Sequence, residues 1–347
     1  MRNQDYWHKR WDILQAALIK KSESYEVDLV KFYLKAAVRA KKDINNFYAR
    51  FAQNNSVTLV DAKKILTTKE LKELRWDLEE YIKKARTLKY SQKWTKELEN
   101  ASLRYRISRL EALELQMRQH AADLAHQTDN IIHKSSSELL KESYYRGVYE
   151  VQKEIGFSAN FQKIDTETAD KIIAKPWSVD GSNFSERVWG ENRAELVQKL
   201  HKELTQSFIR GEGVEPLTAR ISHDFDVARY KARRLVATEN AFFASQGNQR
   251  ALKNCGVKQF TISATLDRKT CDDCGSREDE KIPMSSWEIG VTAPPFHPNC
   301  RCVATPVLDS DYEDLFEGAT RTTRGNDGKT RKIENMTYVE WKSKFGI

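Results

Sequence analysis

The first 146 residues contain neither glycine nor proline: the first glycine is Gly147 and the first proline is Pro176. These two residue types supply most tight turns, so a chain that lacks them has few ways to reverse direction between short strands. Long helices need neither in their interiors, where glycine costs about 1 kcal/mol and proline about 3 kcal/mol relative to alanine. The sequence therefore predicts long α-helices over this stretch.

The spacing of apolar residues supports helices. Near the N-terminus, apolar side chains recur at steps of four, three and four residues, which predicts a buried face at Trp7, Trp11, Leu14 and Leu18. A face that docks a partner is the alternative for the two tryptophans. Steps of three, four or seven residues predict further buried positions at Val27, Val30, Leu34, Ala37, Ile44, Tyr48 and Phe51. Thr67 and Glu70 have the form of a capping box that begins another helix.

The rest of the chain also reads as mainly helical, with one short strand region. Helices are predicted over residues 91–127, 128–147, 185–210, 217–225 and 226–252. GEGVEP, at 211–216, predicts a break between two of them. GVKQFTISAT, at 256–265, has the β-branched and aromatic content of a strand, and TYVEWKSKF at the end predicts a short docking helix.

Four of the five cysteines lie between residues 271 and 302. Cys271 and Cys274 form C-x2-C, and His297, Cys300 and Cys302 form H-x2-C-x-C, with 22 residues between the two arms. Thiolates and imidazoles at such spacing predict a structural zinc site, which needs four ligands in tetrahedral geometry. Five candidates are present, so the spacing leaves open which four bind. A catalytic zinc and reduced, metal-free cysteines are the alternatives.

These patterns predict a mainly α protein with a long helical N-terminal arm, a compact helical domain and a small α+β, zinc-stapled C-terminal module. The predicted divisions are a long-helix region at 1–155, a helical domain at 156–255, a β-containing metal-binding module at 256–308 and a mobile charged tail at 309–347. Cys255 falls outside the metal-binding spacing and is predicted to be a small core residue.

The chain is basic, with a net charge of +8 and a sequence pI near 9.0. This balance favours contact with polyanions such as DNA, and a solvated basic surface is the alternative. The candidate nucleic-acid contacts are Arg229, Lys231, Arg233 and Arg234 on one predicted helix. The polar N-terminus lacks a secretory signal, and no apolar run approaches the roughly 18–20 residues of a membrane span. We therefore expect assembly in the cytoplasm and no membrane partner.

Several motifs resemble one family. DRKTCDDCGSREDE followed by APPFHPNCRC is similar to the C-terminal part of the Mu-F-like minor head proteins, the head morphogenesis proteins of tailed phages. WSVDGSNFSERVW, GEGVEPLTARI and RRLVATENAFFASQGNQRAL resemble further family motifs in the same order, over a core of about 175–305. YWHKRWDIL, at 6–14, is a looser match. Ala237 stands where the family usually has an arginine, before Thr238 and Glu239.

The resemblance implies a virion component present in few copies. It would lie in the capsid interior at the portal vertex and act in head morphogenesis, DNA packaging or ejection. Its implied partners are the portal protein, a scaffold or major capsid protein, and genomic DNA bound without sequence preference. Residues 1–155 would dock on the portal or the capsid.

Two other classes remain as alternatives. A free DNA-binding protein, regulatory or sequence-independent, would explain the charge, although no basic recognition helix lies between the cysteine arms. An enzyme, such as a toxin that shares this domain, is the second. The sequence lacks G-x-S-x-G, a Walker loop, H-E-x-x-H and the zinc deaminase signature. We therefore predict no catalytic residues.

Overall fold

A computed structural model of the chain describes residues 4–155, 157, 161–177, 180–264, 271–278, 280–308, 322–324, 330–332 and 337–347. Its longest elements are three helices of 48, 47 and 41 residues: α1 (Gln4–Phe51), α5 (Arg109–Ile155) and α9 (Val214–Asn254). At 1.5 Å per residue, each is about 60–70 Å long. The prediction of a mainly helical protein with long N-terminal helices is confirmed.

Shorter helices connect the long ones. They are α2 (Leu59–Ala62), α3 (Thr68–Thr87), α4 (Gln92–Ser102), α6 (Thr166–Ile173), α7 (Phe184–Glu186), α8 (Arg193–Arg210), α10 (Asp272–Gly275) and α11 (Tyr338–Phe345). A π-helical stretch, Arg187–Asn192, joins α7 to α8, and a 3-10 turn covers Met284–Ser286. None of the described helices is both long enough and apolar enough to cross a bilayer.

Two small antiparallel sheets follow α9. The first has the order β2-β1-β3, from β1 (Gln259–Ser263), β2 (Ile282–Pro283) and β3 (Val303–Val307). β1 pairs with β3 along its whole length, from Gln259 opposite Val307 to Ser263 opposite Val303. The second sheet joins β4 (Thr322–Arg324) to β5 (Thr330–Lys332). The strand predicted within 256–265 is confirmed.

The chain divides into two compact units, each built from separated stretches. The first comprises Met1–Tyr25, Ile132–Lys175 and Val236–Ile347; the second comprises Glu26–Ile131 and Pro176–Leu235. The predicted domain limits at 155, 255 and 308 fall next to the ends of α5, α9 and β3. As divisions between domains they stay predictions.

In the first unit, the β1–β3 sheet packs on the beginning of α1 and the ends of α5 and α9. Its core joins Trp7, Trp11, Val151 and Leu252 from those helices to apolar residues of the sheet and its loops. Trp11 Nε1 donates a hydrogen bond of 2.8 Å to Asn248 Oδ1, whose amide donates to the carbonyl of Ala304. The predicted burial of Trp7, Trp11, Leu14 and Leu18 is confirmed.

Two further packing features belong to the first unit. Gly247 allows α9 to approach α5, since a Cβ at this position would lie 2.3 Å from the carbonyl oxygen of Leu140. Trp341, on the predicted terminal helix, is fully buried, and its ring stacks on Phe161 at 5.1 Å. Much of the predicted mobile charged tail, residues 309–321, 325–329 and 333–336, lies outside the described residues.

In the second unit, α3 and α4 form a helical hairpin that packs on the first part of α5. The core residues are Leu74, Leu78, Ala85, Tyr90, Trp94, Leu98, Ala101, Ile107, Leu115 and Ala122. The capping box predicted at the start of α3 is confirmed: Thr67 Oγ1 accepts from the Glu70 backbone N–H, and Glu70 Oε2 accepts from the Thr67 N–H.

Three predictions about helices are wrong. On α1, Val27 and Leu34 are exposed, and the buried positions nearby are Leu29, Tyr33, Ala36 and Ala40. The helix boundary predicted at 127/128 lies inside α5, whereas a break at 103–108 separates α4 from α5. The helices predicted at 217–225 and 226–252 are one continuous α9, because Asp226 lies on its exposed face and does not interrupt the backbone hydrogen bonds.

Candidate metal centre

The first pair of candidate ligands lies at a short helical turn. Cys271 is the N-cap of α10, and its Sγ accepts a hydrogen bond of 3.4 Å from the backbone N–H of Cys274. Cys271 is exposed and Cys274 is buried. The C-x2-C spacing thus allows one turn to present two sulfurs to the same point.

The imidazole of the second arm faces this pair. His297 Nδ1 lies 2.9 Å from the carbonyl oxygen of Pro298. Because a carbonyl can only accept, Nδ1 carries the ring proton and donates, which leaves Nε2 with its lone pair. His297 Nε2 lies 3.3 Å from Cys271 Sγ and 3.2 Å from Cys274 Sγ.

The two remaining cysteines complete the cluster. Cys300 and Cys302 are buried, and Cys300 Sγ lies 3.9 Å from Cys274 Sγ. The side chains form two overlapping groups that share Cys274: Cys271, Cys274 and His297, and Cys274, Cys300 and Cys302. Metal–ligand bonds of about 2.0–2.3 Å in tetrahedral geometry place neighbouring ligand atoms about 3.5–3.8 Å apart. The structure therefore brings all five predicted residues together in a cluster that could hold a metal ion.

The pKa values of the three buried cysteine thiols shift in different directions. Burial raises the pKa of the Cys274 thiol to about 12. The hydrogen bond from the Cys302 thiol lowers the pKa of Cys300 to about 5, and the same interaction raises the pKa of Cys302. Metal ligation requires thiolates, so an ion that enters this cluster displaces protons.

Arg277 connects the two arms, and no motif in the sequence predicted this role. Its Nη1 donates a 2.6 Å hydrogen bond to the carbonyl of Val291, and its Nε donates to Asp273 Oδ1 at 3.1 Å. The guanidinium lies 4.4 Å from the ring centroid of Phe296, next to His297. One side chain thereby connects the C-x2-C turn to the loop that carries the histidine.

Three of the four candidate DNA-binding residues form ion pairs with carboxylates of this chain. Arg229 pairs with Asp226 at 3.2 Å, Lys231 pairs with Glu195, and Arg233 pairs with Glu26 at 2.9 Å. Arg234 also has an interaction partner. The structure brings the four cations onto one part of α9, but these ion pairs offset much of their charge. Their role in DNA contact stays a prediction.

The polar residues of the Thr238–Glu239 step lie on a packed part of α9. Glu239 and the adjacent Asn240 are buried, and Thr238 is half-buried. The Asn240 amide donates to Ser22 Oγ at 2.9 Å, while its Oδ1 accepts from Ser135 Oγ at 2.6 Å. These contacts connect α9 to α1 and α5 and indicate a packing role.

Comparison with known proteins identifies the region that holds the cluster. The family described as Phage Mu protein F like protein matches residues 198–305, which include all five candidate ligands. The minor head protein GP7 of Bacillus phage SPP1 is 25% identical over 228 residues, covering 60% of this chain and 71% of that protein.

A second relative is an uncharacterized protein of Haemophilus influenzae. It is 22% identical over 121 residues, covering 35% of this chain and 27% of that protein. No solved structure matches the chain significantly. The predicted resemblance to Mu-F-like phage minor head proteins is therefore confirmed over residues 198–305, the part of this chain that matches the family.

Proposed function

We propose that this chain is a structural minor head protein of a tailed bacteriophage. The observation that carries the proposal is the family match over 198–305, which contains the complete cysteine–histidine cluster. The relative from Bacillus phage SPP1 supports it, because that protein is described as a minor head protein. In this proposal the chain works in the virion, in the capsid interior at the portal vertex.

The cluster would bind one zinc ion in a structural role. Zinc would supply a tetrahedral cross-link between two arms of the chain that are 22 residues apart in the sequence. We assign Cys271, Cys274, His297 and Cys300 as its ligands. His297 Nε2 lies 3.3 Å from Cys271 Sγ and 3.2 Å from Cys274 Sγ, and Cys274 Sγ lies 3.9 Å from Cys300 Sγ. Cys302 would then donate a hydrogen bond to the Cys300 thiolate from outside the ligand set.

A closed site with four protein ligands leaves no open position for water, so we propose no enzymatic role for it. The chain would instead act through its contacts in head morphogenesis, DNA packaging or ejection. Its proposed partners are the portal protein, a scaffold or major capsid protein, and genomic DNA. The net charge of +8 supports DNA contact that does not depend on sequence.

Quantitative mass spectrometry of purified, DNA-filled capsids tests the structural role, with the portal protein as internal standard. We expect a reproducible signal at or below the portal copy number. Absence of the chain from both procapsids and virions would contradict the proposal.

The basic charge also favours a second candidate, a free DNA-binding protein. Binding to unrelated duplexes at increasing salt separates the two. A steep loss of affinity without sequence preference fits a head protein next to packaged DNA. Tight binding to one sequence, retained at high salt, would favour a regulator.

A further inference from the structure

Helix α1 carries a second apolar stripe that stays exposed in the part of the chain that the structure describes. Val27, Leu34 and Val38 have exposed fractions of 55%, 48% and 68%. At 100° per residue, positions separated by seven and eleven residues lie within about 20° of one line along a helix. The buried stripe of the same region, which includes Leu29 and Tyr33, lies on another face.

The exposed stripe is more extensive than a single exposed apolar residue. From Val27 to Val38 it extends for about 16 Å, or three helical turns. Single exposed apolar residues are normal on a protein surface. Three of them in line, with the half-buried Val30 beside them, form the type of face that a second helix covers.

The charges along the stripe are mostly positive. Lys31 pairs with Asp28 at 2.9 Å. Lys35, Lys41 and Lys42 are exposed, and within the described part of the chain none of the three forms an ion pair. The stripe and its lysines together are named the outer face of α1, residues 27–42.

We propose that the outer face of α1 docks an acidic amphipathic helix of another protein. Apolar side chains of that helix would cover Val27, Leu34 and Val38, and its carboxylates would pair with the flanking lysines. DNA fits this face less well, because phosphates gain nothing from three aliphatic side chains. A second copy of this chain also fits less well, because pairing two such faces would bring lysines together.

The proposal does not depend on the head function. Residues 27–42 lie outside the region 198–305 that matches the family, and they take no part in the metal centre. A chain absent from capsids could still bind such a helix, and a capsid protein could lack this activity.

Fluorescence anisotropy with a synthetic probe tests the proposal. The probe is a labelled helix-forming peptide of about 18 residues, with leucines on one face and glutamates beside them. One control peptide has the same composition with the leucines scattered around the helix, and another has lysines in place of the glutamates. We expect full-length protein to bind the probe at least about tenfold more tightly than either control.

Two double variants locate the contact. Leu34→Ser with Val38→Ser, and Lys35→Glu with Lys42→Glu, should each weaken probe binding by about tenfold or more. One matched control is Val60→Ser with Leu103→Ser, which are apolar residues more exposed than Leu34 and Val38. The other is Lys72→Glu with Lys93→Glu, which are exposed lysines of α3 and α4. Both controls should bind like the unaltered protein, and circular dichroism verifies that every variant is folded.

Three results would overturn the proposal. The first is equal binding of the probe and the scattered peptide. The second is a wild-type dimer in light scattering that Leu34→Ser with Val38→Ser converts to monomer, which would assign the face to a second copy. The third is DNA retention that the same apolar double variant abolishes, which would assign the face to nucleic acid.

Discussion

The helical hairpin of α3 and α4 and the module formed by β1, β2, β3 and the cysteine cluster reach stability in different ways. The hairpin has helices of 20 and 11 residues, long enough to bury a continuous apolar face. Its interior consists of leucine, alanine and aromatic side chains, and Trp94 is 1% exposed. This part of the chain needs no cross-link.

The module has strands of five, two and five residues. So little backbone cannot enclose a core, and the module completes its core with Trp7, Trp11, Val151 and Leu252 from the long helices. Sulfur occupies the remaining interior at Cys274, Cys300 and Cys302. This chain therefore fills its interior with apolar side chains where its helices are long, and gathers candidate metal ligands where its strands are short.

We expect the largest effect from the removal of a candidate ligand. Cys274→Ser takes away the sulfur shared by both groups of candidate ligands, and we expect loss of bound zinc and loss of hydrogen-exchange protection in β1 and β3. Structural zinc contributes on the order of 10 kcal/mol to folding in small domains, so this effect should exceed that of any other single substitution here. Elemental analysis and hydrogen exchange measure both outcomes.

Cys255→Ser is the matched control for this experiment, because Cys255 is half-buried beside the module and lies outside both ligand groups. It should keep its zinc. Hydrogen exchange in α3 and α4 should not change in either variant. Retention of one zinc per chain by Cys274→Ser would refute the assigned site.

Trp94→Ala tests whether the hairpin of α3 and α4 depends on its apolar core. The indole is buried, its Nε1 donates to Gln119 Oε1 at 3.1 Å, and Arg118 and Arg193 lie 4.9 Å from its ring. Replacement of a buried tryptophan by alanine costs about 3–5 kcal/mol, so α3 and α4 should lose protection by about that amount. Zinc content should stay unchanged.

Trp76→Ala provides the control within the same hairpin. Trp76 is 66% exposed, so its replacement should change stability by no more than about 0.5 kcal/mol. If Trp94→Ala released zinc, the hairpin and the module would not be stabilised separately.

Arg277→Ala tests whether the contacts of this side chain orient the candidate ligands. The substitution removes the hydrogen bond to Val291 and the contact with Phe296 but leaves every candidate ligand in place. Loss of a residue that orients ligands typically costs about 10–100-fold in metal affinity. We expect one zinc per chain, bound about tenfold more weakly in a chelator competition assay. Lys281→Ala, an exposed change in the same module, should leave the affinity unaltered.

The sequence predicted the cluster better than it predicted the helix register. Cys271 to Cys302 come together because ligand spacing is a local property, readable from residue types alone. On α1, by contrast, Val27 and Leu34 form as regular a stripe as Leu29 and Tyr33, and periodicity cannot tell which one its own chain covers. Arg277 was missed for a related reason, because its contacts join residues 14 and 19 positions away along the chain.

The break between α4 and α5 did have a local signal. Ser108 and Glu111 form a reciprocal pair, in which Ser108 Oγ accepts from the Glu111 N–H at 3.2 Å and Glu111 Oε2 accepts from the Ser108 N–H at 2.8 Å. This S-x-x-E pattern is a capping box like the T-x-x-E pattern that predicted the start of α3 at Thr67. The sequence analysis did not predict this break because residues 103–108, which separate α4 from α5, contain neither glycine nor proline.

Among the substitutions that are not controls, Thr67→Ala should have the smallest effect, and it separates local from tertiary stabilisation of the hairpin. It removes the side-chain oxygen that accepts from the Glu70 N–H, and loss of an N-cap typically costs about 1 kcal/mol. The loss should appear as faster exchange in the first turn of α3, with no change in zinc content or in β1 and β3. Thr67→Ser keeps the acceptor and should restore protection. Equal exchange in Thr67→Ala and Thr67→Ser would mean that packing on α5, and not the cap, holds the start of the helix.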